Sequence, residues 1–283
     1  MMVEVLKTGL YDSIQDLGRF GYQHLGVPTS GAMDQYAASL ANSILANQDY
    51  AAVLEFTVLG PTLKFHIETA ICITGMQSNA KLNREAIENN SVTHIKQQDV
   101  VSFGQRVLGC RGYIAVLGGF QSPNIMGSRS MCQHITPQQR LTKNDQLDIL
   151  SQPLVDHHSN AHVKTPISHF ETDKLNVFEG LEFGRLSKSQ QEVVVQQEFT
   201  VSKDGNRMAY PLEGVLKNSL QSIITGPVLP GTVQLTPSGQ LIVLMRDCQT
   251  TGGYPRILQL TEMAINQLSQ KAPGEKFTFK IAH

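Results

Sequence analysis

The strongest constraint on the fold of this chain is the recurrence of short apolar runs of period two, each cut off by Gly, Pro, Asn or Asp. They include Val3-Glu4-Val5-Leu6, Thr69 to Ile73, Tyr113 to Leu117 and Leu241 to Met245. Alternation at that period puts successive side chains on opposite faces of a strand, so the chain reads as mainly β. Helices are few. Asp34 to Leu45 opens on an acidic cap and spaces Tyr36, Leu40, Ile44 and Leu45 along one helical face, which predicts a helix with those side chains inward. Ser187-Lys188-Ser189-Gln190 has the spacing of a capping box and predicts a second, and Glu262 to Leu268 a third. Without long helices to act as parallel crossovers, the expected architecture is a set of mostly antiparallel barrels, which also close their own edges. From Ser151 to Asp173 the periodicity stops and polar residues take over. This predicts a linker between one β-barrel subdomain over 1–155 and another over 170–283, with strands open to exchange between them.

Charge and cysteine usage narrow the function classes. A net charge of -1 across 283 residues offers no global attraction to nucleic acid or to an anionic membrane, and no basic patch stands out. A small polar ligand or a protein partner is the expectation. No apolar run approaches the ~20 residues needed to cross a bilayer. Cysteines 72, 110, 132 and 248 are scattered without a C-x-x-C, and the first residues lack a basic and an apolar signal region, so a cytoplasmic protein with free thiols is expected. There is no G-x-x-x-x-G-K-[ST], no G-x-G-x-x-G, no H-E-x-x-H and no G-x-S-x-G, and no Met-Lys-Met that would carry biotin. His157, His158, His162 and His169 crowd the linker, but no carboxylate array or helical pattern joins them, and no metal is assigned.

Two polar, glycine-punctuated blocks remain: Ser13 to Glu55, and Asp247 to Arg256 (DCQTTGGYPR). Each pairs hydrogen-bonding side chains with glycines that let backbone approach a ligand, and the two are expected to converge on one composite site. Arg19 and Arg207 suit contacts to an anion, since a guanidinium grips carboxylate or phosphate through two bonds. Asp16, Asp34 and Asp247 are carboxylates able to position a proton or a magnesium ion. Gln15, Ser30, Gly31, Asn206, Gln249, Thr250, Thr251, Gly252, Gly253 and Tyr254 complete the candidate set. Structural roles compete with these: Asp34 as a helix cap, Arg19 and Glu55 as a buried ion pair, and Asn42 as a partner for a neighbouring loop.

The run Gln15-Asp16-Leu17-Gly18-Arg19, then Gly21-Tyr22, Gly26-Val27-Pro28, Ser30-Gly31-Ala32-Met33-Asp34, Ala41-Asn42, Asn47 and Leu54-Glu55 resembles the KipA / allophanate hydrolase subunit 2 family. Further matches follow in the same order: Thr74-Gly75, Arg111-Gly112-Tyr113, Gly118-Gly119, Asn206-Arg207-Met208, Leu212-Glu213-Gly214, Pro230-Gly231 and Gln249 to Pro255. The resemblance implies two cyclophilin-like β-barrel subdomains. It also implies work as the C component of an ATP-dependent 5-oxoprolinase, beside a KipI-like B component and a LamB/YcsF-like A component, with ATP and magnesium bound by the complex, on this chain or on a partner. A lactam is a poor electrophile, and phosphorylating its oxygen before water attacks makes that oxygen a leaving group. Two other roles stay open: a carboxyltransferase-type module acting on urea with biotin carried elsewhere, and a non-catalytic regulator of a KipI-like protein. Where the family pattern has Ser-Arg-Ser-Thr-Asp this chain has Ser128 to Cys132, ending Met131-Cys132, and where it has Arg-Met-Gly-Tyr-Arg-Leu this chain has Ala209-Tyr210-Pro211 after Met208. Either the substrate differs or those residues serve folding.

Overall fold

The computed structural model describes residues 2–150 and 163–282, and the chain divides into two units. The first comprises Met1–Arg19 and Ser30–Pro166, the second Phe20–Thr29 and Ile167–His283. Most of the proposed linker, with His157, His158 and His162, lies outside the described residues. His169 is described and buried, edge-on to Phe170 in the short helix Ser168–Glu171.

The mainly β reading holds. In the first unit, one sheet runs Gln146–Asp148, Met2–Lys7, Thr62–Phe65, Val100–Ser102, Lys81–Leu82, Glu85–Ala86. The other runs Asp12–Gln15, Val53–Thr57, Arg106–Val116, Thr69–Ser78, Val92–Ile95. Their inward side chains, among them Val3, Val5, Ile14, Phe56, Phe65, Ile73 and Ile114, form one core. In the second unit seven strands close a barrel, in the order Lys174–Glu179, Arg256–Leu260, Thr232–Leu235, Gln240–Leu244, Ala209–Val215, Phe199–Val201, Lys276–Ile281. Closure is made by a parallel pairing of Lys174–Glu179 with Lys276–Ile281, a departure from the antiparallel rule. Phe199, Phe277 and Phe279 stack in this unit with ring centroids 5.3 to 6.4 Å apart.

All three expected helices form. Asp34 caps Gln35–Ile44 by accepting from the Ala37 N–H at 3.1 Å, Ser187 and Gln190 close a capping box on Lys188–Gln196, and Thr261 caps Glu262–Ser269. The face of the first helix is corrected. Its core contacts come from Ala37, Ala38 and Ala41, with Leu45 just beyond and Ile44 packed at the edge, whereas Tyr36 and Leu40 are only partly buried and outside that core. Small side chains let the helix sit close on the sheet, against Cys72, Tyr113 and Ala115, and apolar size alone misplaced the stripe. Asn42 bridges to the Ala51 carbonyl at 2.8 Å, as expected of a loop partner.

Candidate functional site

Strand Asp12–Gln15 is buried along its whole length, and the chain leaves it into the Asp16–Arg19 turn. The Asp16 carboxylate accepts four hydrogen bonds: Ser128 Oγ at 2.7 Å, Ser130 Oγ at 2.6 Å, the Arg129 N–H at 2.6 Å and the Gly18 N–H at 2.8 Å. Ser130 Oγ also accepts from the N–H of Asp16 at 3.0 Å. The part of the Ser128–Cys132 loop that keeps the family pattern is therefore the part that wraps Asp16. The part that departs from it is apolar filling, since Met131 and Cys132 are buried and Met131 joins the core.

Arg19 is wholly buried. Its Nε donates to the Ile125 carbonyl at 2.9 Å and its Nη2 to the Ser130 carbonyl at 3.0 Å, while Nη1 has no hydrogen-bond partner. The expected Arg19–Glu55 pair does not form. Glu55 instead accepts from the Met33 N–H at 2.7 Å and the Tyr113 hydroxyl at 2.8 Å, and Tyr113 in turn accepts from the Asp34 N–H at 2.8 Å. Burial, with Glu55 and Asp34 nearby, holds the Tyr113 phenol well above its ordinary pKa, so it is a fixed hydrogen-bonding group. This clamp sets the Ser30–Asp34 segment. Ser30 takes a left-handed φ of 58° and Gly31 one of 93°, and a Cβ at Gly31 would lie 2.9 Å from the backbone of Leu17 and Gly18. Gln15 is fully buried, its amide donating to Ser13 Oγ and to the Met131 carbonyl.

Asp12, at the head of the same strand, accepts from the Gly9 N–H through one oxygen, and its other oxygen has no partner. Burial raises its pKa from 3.8 to about 6. A carboxyl that binds its proton more tightly in the fold stabilises the fold fully below the unfolded value, and that stabilisation fades as pH rises through about 6. At roughly 1.4 kcal/mol per pH unit, the ionised form costs about 3 kcal/mol. Asp12→Asn is therefore expected to gain stability over the natural protein between pH 4 and pH 7, by about 2 kcal/mol at the upper end, in urea unfolding series. A difference that does not change with pH would show that Asp12 titrates normally.

In the second unit, Arg207 and Asp247 grip one another through two bonds, Nε to Oδ2 at 2.8 Å and Nη2 to Oδ1 at 3.1 Å. The candidate anion-binding group and the candidate carboxylate of this unit are thus each other's partners. Asn206 is exposed and caps the following turn, accepting from the Met208 and Ala209 N–H groups. Thr251–Gly252 pairs with Gly226–Pro227 as a small ribbon, the Thr250 carbonyl accepts from Val228 and the Gly253 carbonyl from Ile223. Arg256 anchors that ribbon, donating to the Pro227 carbonyl and bidentately to Glu182 at 2.9 and 3.0 Å. The bond from Arg256 lowers the Glu182 pKa. A Cβ at Gly252 would lie 2.4 Å from the Nε2 of Gln234, a buried amide nitrogen without a partner, and exposed Gln249 donates to the other end of the same amide at 3.4 Å. Tyr254 is exposed. Pro211 sits in a barrel strand opposite Ile242, and the register against Gln240–Leu244 shifts between Pro211 and Val215, where Gly214 takes a φ of 123°.

Sequence reasoning missed the Glu55–Tyr113 clamp and the Glu182–Arg256 anchor, because partners far apart in sequence leave no local signal. Neither Cys72 nor Cys248 is a thiolate nucleophile, since burial pushes both up to about 12. Among the described residues no group of three or more metal-ligating side chains gathers, and no helix is long and apolar enough to cross a membrane.

The family model of the carboxyltransferase domain, subdomains A and B, matches residues 25–281. The chain is 30% identical to the C component of 5-oxoprolinase from Escherichia coli, over 98% of its own length and 90% of the relative's. It is 29% identical to the Haemophilus influenzae protein of the same name, over 99% and 91%. Urea amidolyase of Lachancea kluyveri is 42% identical over 45% of this chain and 7% of its own. Among solved structures, the protein TTHA0988 superposes with a TM-score of 0.88 at 27% identity, over 99% of this chain and 55% of that one. The urea carboxylase of Kluyveromyces lactis does so with 0.87 at 27%, over 98% and 27%. This chain therefore spans about half of TTHA0988 and a smaller share of the urea enzyme.

Proposed function

The chain belongs to the carboxyltransferase-domain family, subdomains A and B, and from that membership we propose that it serves as the C component of an ATP-dependent 5-oxoprolinase. The observation that carries this reading is matched length. Two proteins named as the C component of 5-oxoprolinase align along nearly their whole extent with nearly the whole of this chain, whereas the urea amidolyase of Lachancea kluyveri aligns over 7% of its own length, and the urea carboxylase of Kluyveromyces lactis, which superposes on nearly all of this chain, over 27% of its own.

In this reading the chain works with a KipI-like and a LamB/YcsF-like protein. The lactam oxygen of 5-oxoproline takes the γ-phosphoryl group of ATP and ADP leaves; water then adds to the activated carbon, the C–N bond opens, and glutamate and phosphate are released. ATP with magnesium is a substrate of the complex, and its site can lie on a partner protein. Arg19, with one unpartnered nitrogen and no carboxylate against it, is this chain's candidate for steadying developing negative charge. The likeness to urea carboxylase favours one second reading, transfer of a carboxyl group from biotin carried on another protein.

Reconstitution separates them. The chain purified with both partner proteins is expected to release glutamate and ADP in equal amounts from 5-oxoproline, and the mixture to lose that activity when the chain is omitted. Urea-dependent turnover of carboxybiotin, with no glutamate formed, would replace the first reading by the second.

A further inference from the structure

The first unit holds a cleft of about 460 Å³, within the ~300–1,000 Å³ typical of small-molecule sites. None of the residues singled out in the sequence as site candidates lines it. Its polar lining sorts into two groups. Asn47 and Gln121 are scaffold: Asn47 donates to Asn42 and to the Val116 carbonyl and accepts from the Gly118 N–H, while Gln121 donates to the Gly118 and Gly119 carbonyls at 3.1 and 3.0 Å. Their amides are engaged in holding the wall. The side chains of Gln48 and Tyr50 stand at the rim with their polar ends unengaged.

Arg129 is the charged residue of the lining, and no carboxylate joins it there among the described residues. Its guanidinium meets neutral oxygens only, the Ser122 carbonyl and Gln121 Oε1, the latter at 2.8 Å. Two contacts leave the remaining N–H donors of a five-donor group open. Asp16 does not neutralise it, since that carboxylate binds the backbone N–H of Arg129 and the hydroxyls on either side. Asp16 instead fixes the turn from which the guanidinium extends. The backbone N–H groups of Asn47, Ala51, Gly119, Phe120 and Gln121 all donate within the protein. Those five amides are closed to a phosphate group, and one guanidinium matches one negative charge.

We infer that this cleft binds a small monocarboxylate, held at Arg129 with its uncharged remainder over Ala46, Ala51 and Leu150 and within reach of Gln48 and Tyr50. Resting on the 5-oxoprolinase reading for its identity, that ligand is 5-oxoproline, a monoanion whose ring also carries an amide.

The test uses the full chain and the reconstituted complex, with 5-oxoproline, its uncharged analogue 2-pyrrolidinone, and inorganic phosphate as probes. Calorimetry is expected to show 5-oxoproline binding while the other two do not. Arg129→Gln should weaken binding at least tenfold and raise KM by a similar factor, with Arg129→Lys intermediate and the exposed-site control Arg140→Gln unchanged; urea unfolding checks that each variant is folded. An active complex in which folded Arg129→Gln keeps its KM overturns the inference and leaves the function standing. Binding of another small carboxylate that depends on Arg129, in a complex inert toward 5-oxoproline, upholds the cleft and overturns the function. Binding of phosphate in preference to every carboxylate tried overturns the inference.

Discussion

Replacing Asp16 by alanine is expected to destabilise the protein by about 4 kcal/mol, the largest loss for any polar side chain of the candidate site. Four donors lose their acceptor at once: two hydroxyls and two backbone N–H groups, at 2.6 to 2.8 Å from the carboxylate. Ser128 and Ser130 are fully buried, so water cannot readily take the place of the carboxylate. Each stranded buried donor costs about 1–3 kcal/mol, and the total is held below the sum because the loop can relax. Asp16→Asn should cost less, about 2 kcal/mol, because one oxygen survives while the new NH2 group faces donors. Urea unfolding of both variants tests this, and a loss under about 1 kcal/mol for Asp16→Ala would mean that the four bonds are not made in solution. Because the same bonds fix the turn carrying Arg129, folded Asp16→Asn should also bind 5-oxoproline more weakly.

The second large effect concerns Arg207 and Asp247. Asp247→Ala leaves a nearly buried guanidinium without its bidentate partner and is expected to cost about 3 kcal/mol. Arg207→Ala takes both guanidinium bonds from the carboxylate and should cost a similar amount. Removing both takes away the uncompensated charge, so the double variant should be more stable than the sum of the two losses predicts. The coupling recovered from the cycle is expected at about 1–3 kcal/mol. A coupling near zero would show that the two groups act separately. Activity of the reconstituted enzyme adds a second axis: if the pair is structural, Arg207→Lys, which keeps the charge but not the two-bond geometry, should change stability more than it changes kcat.

How much of this could be read beforehand depended on whether cause and effect lay close along the chain. Asp34 and Ser187 were legible as caps because a cap bonds a backbone group within three residues of itself. Strands such as Thr69–Ser78 were legible because the pleat imposes its period on every residue. The stripe of the helix Gln35–Ile44 was misread because its depth was set by the sheet beneath, which admits alanines and turns Tyr36 and Leu40 aside. The Arg19–Glu55 pairing was misjudged for a related reason. Charge complementarity names suitable partners without choosing among them, and Glu55 found Tyr113 and the Met33 N–H while Arg19 found two carbonyls.

Arg129 shows the limit most directly. In the linear chain it is one basic residue between two serines, and the family pattern marks the serines as strongly as it marks the arginine. Local chemistry along the backbone determined the strands, the caps, the turns that demand glycine and the family to which the chain belongs. Which donors are consumed and which stay open was decided only by the tertiary structure, because a hydrogen bond between residues a hundred positions apart depends on distances that no short stretch of sequence encodes.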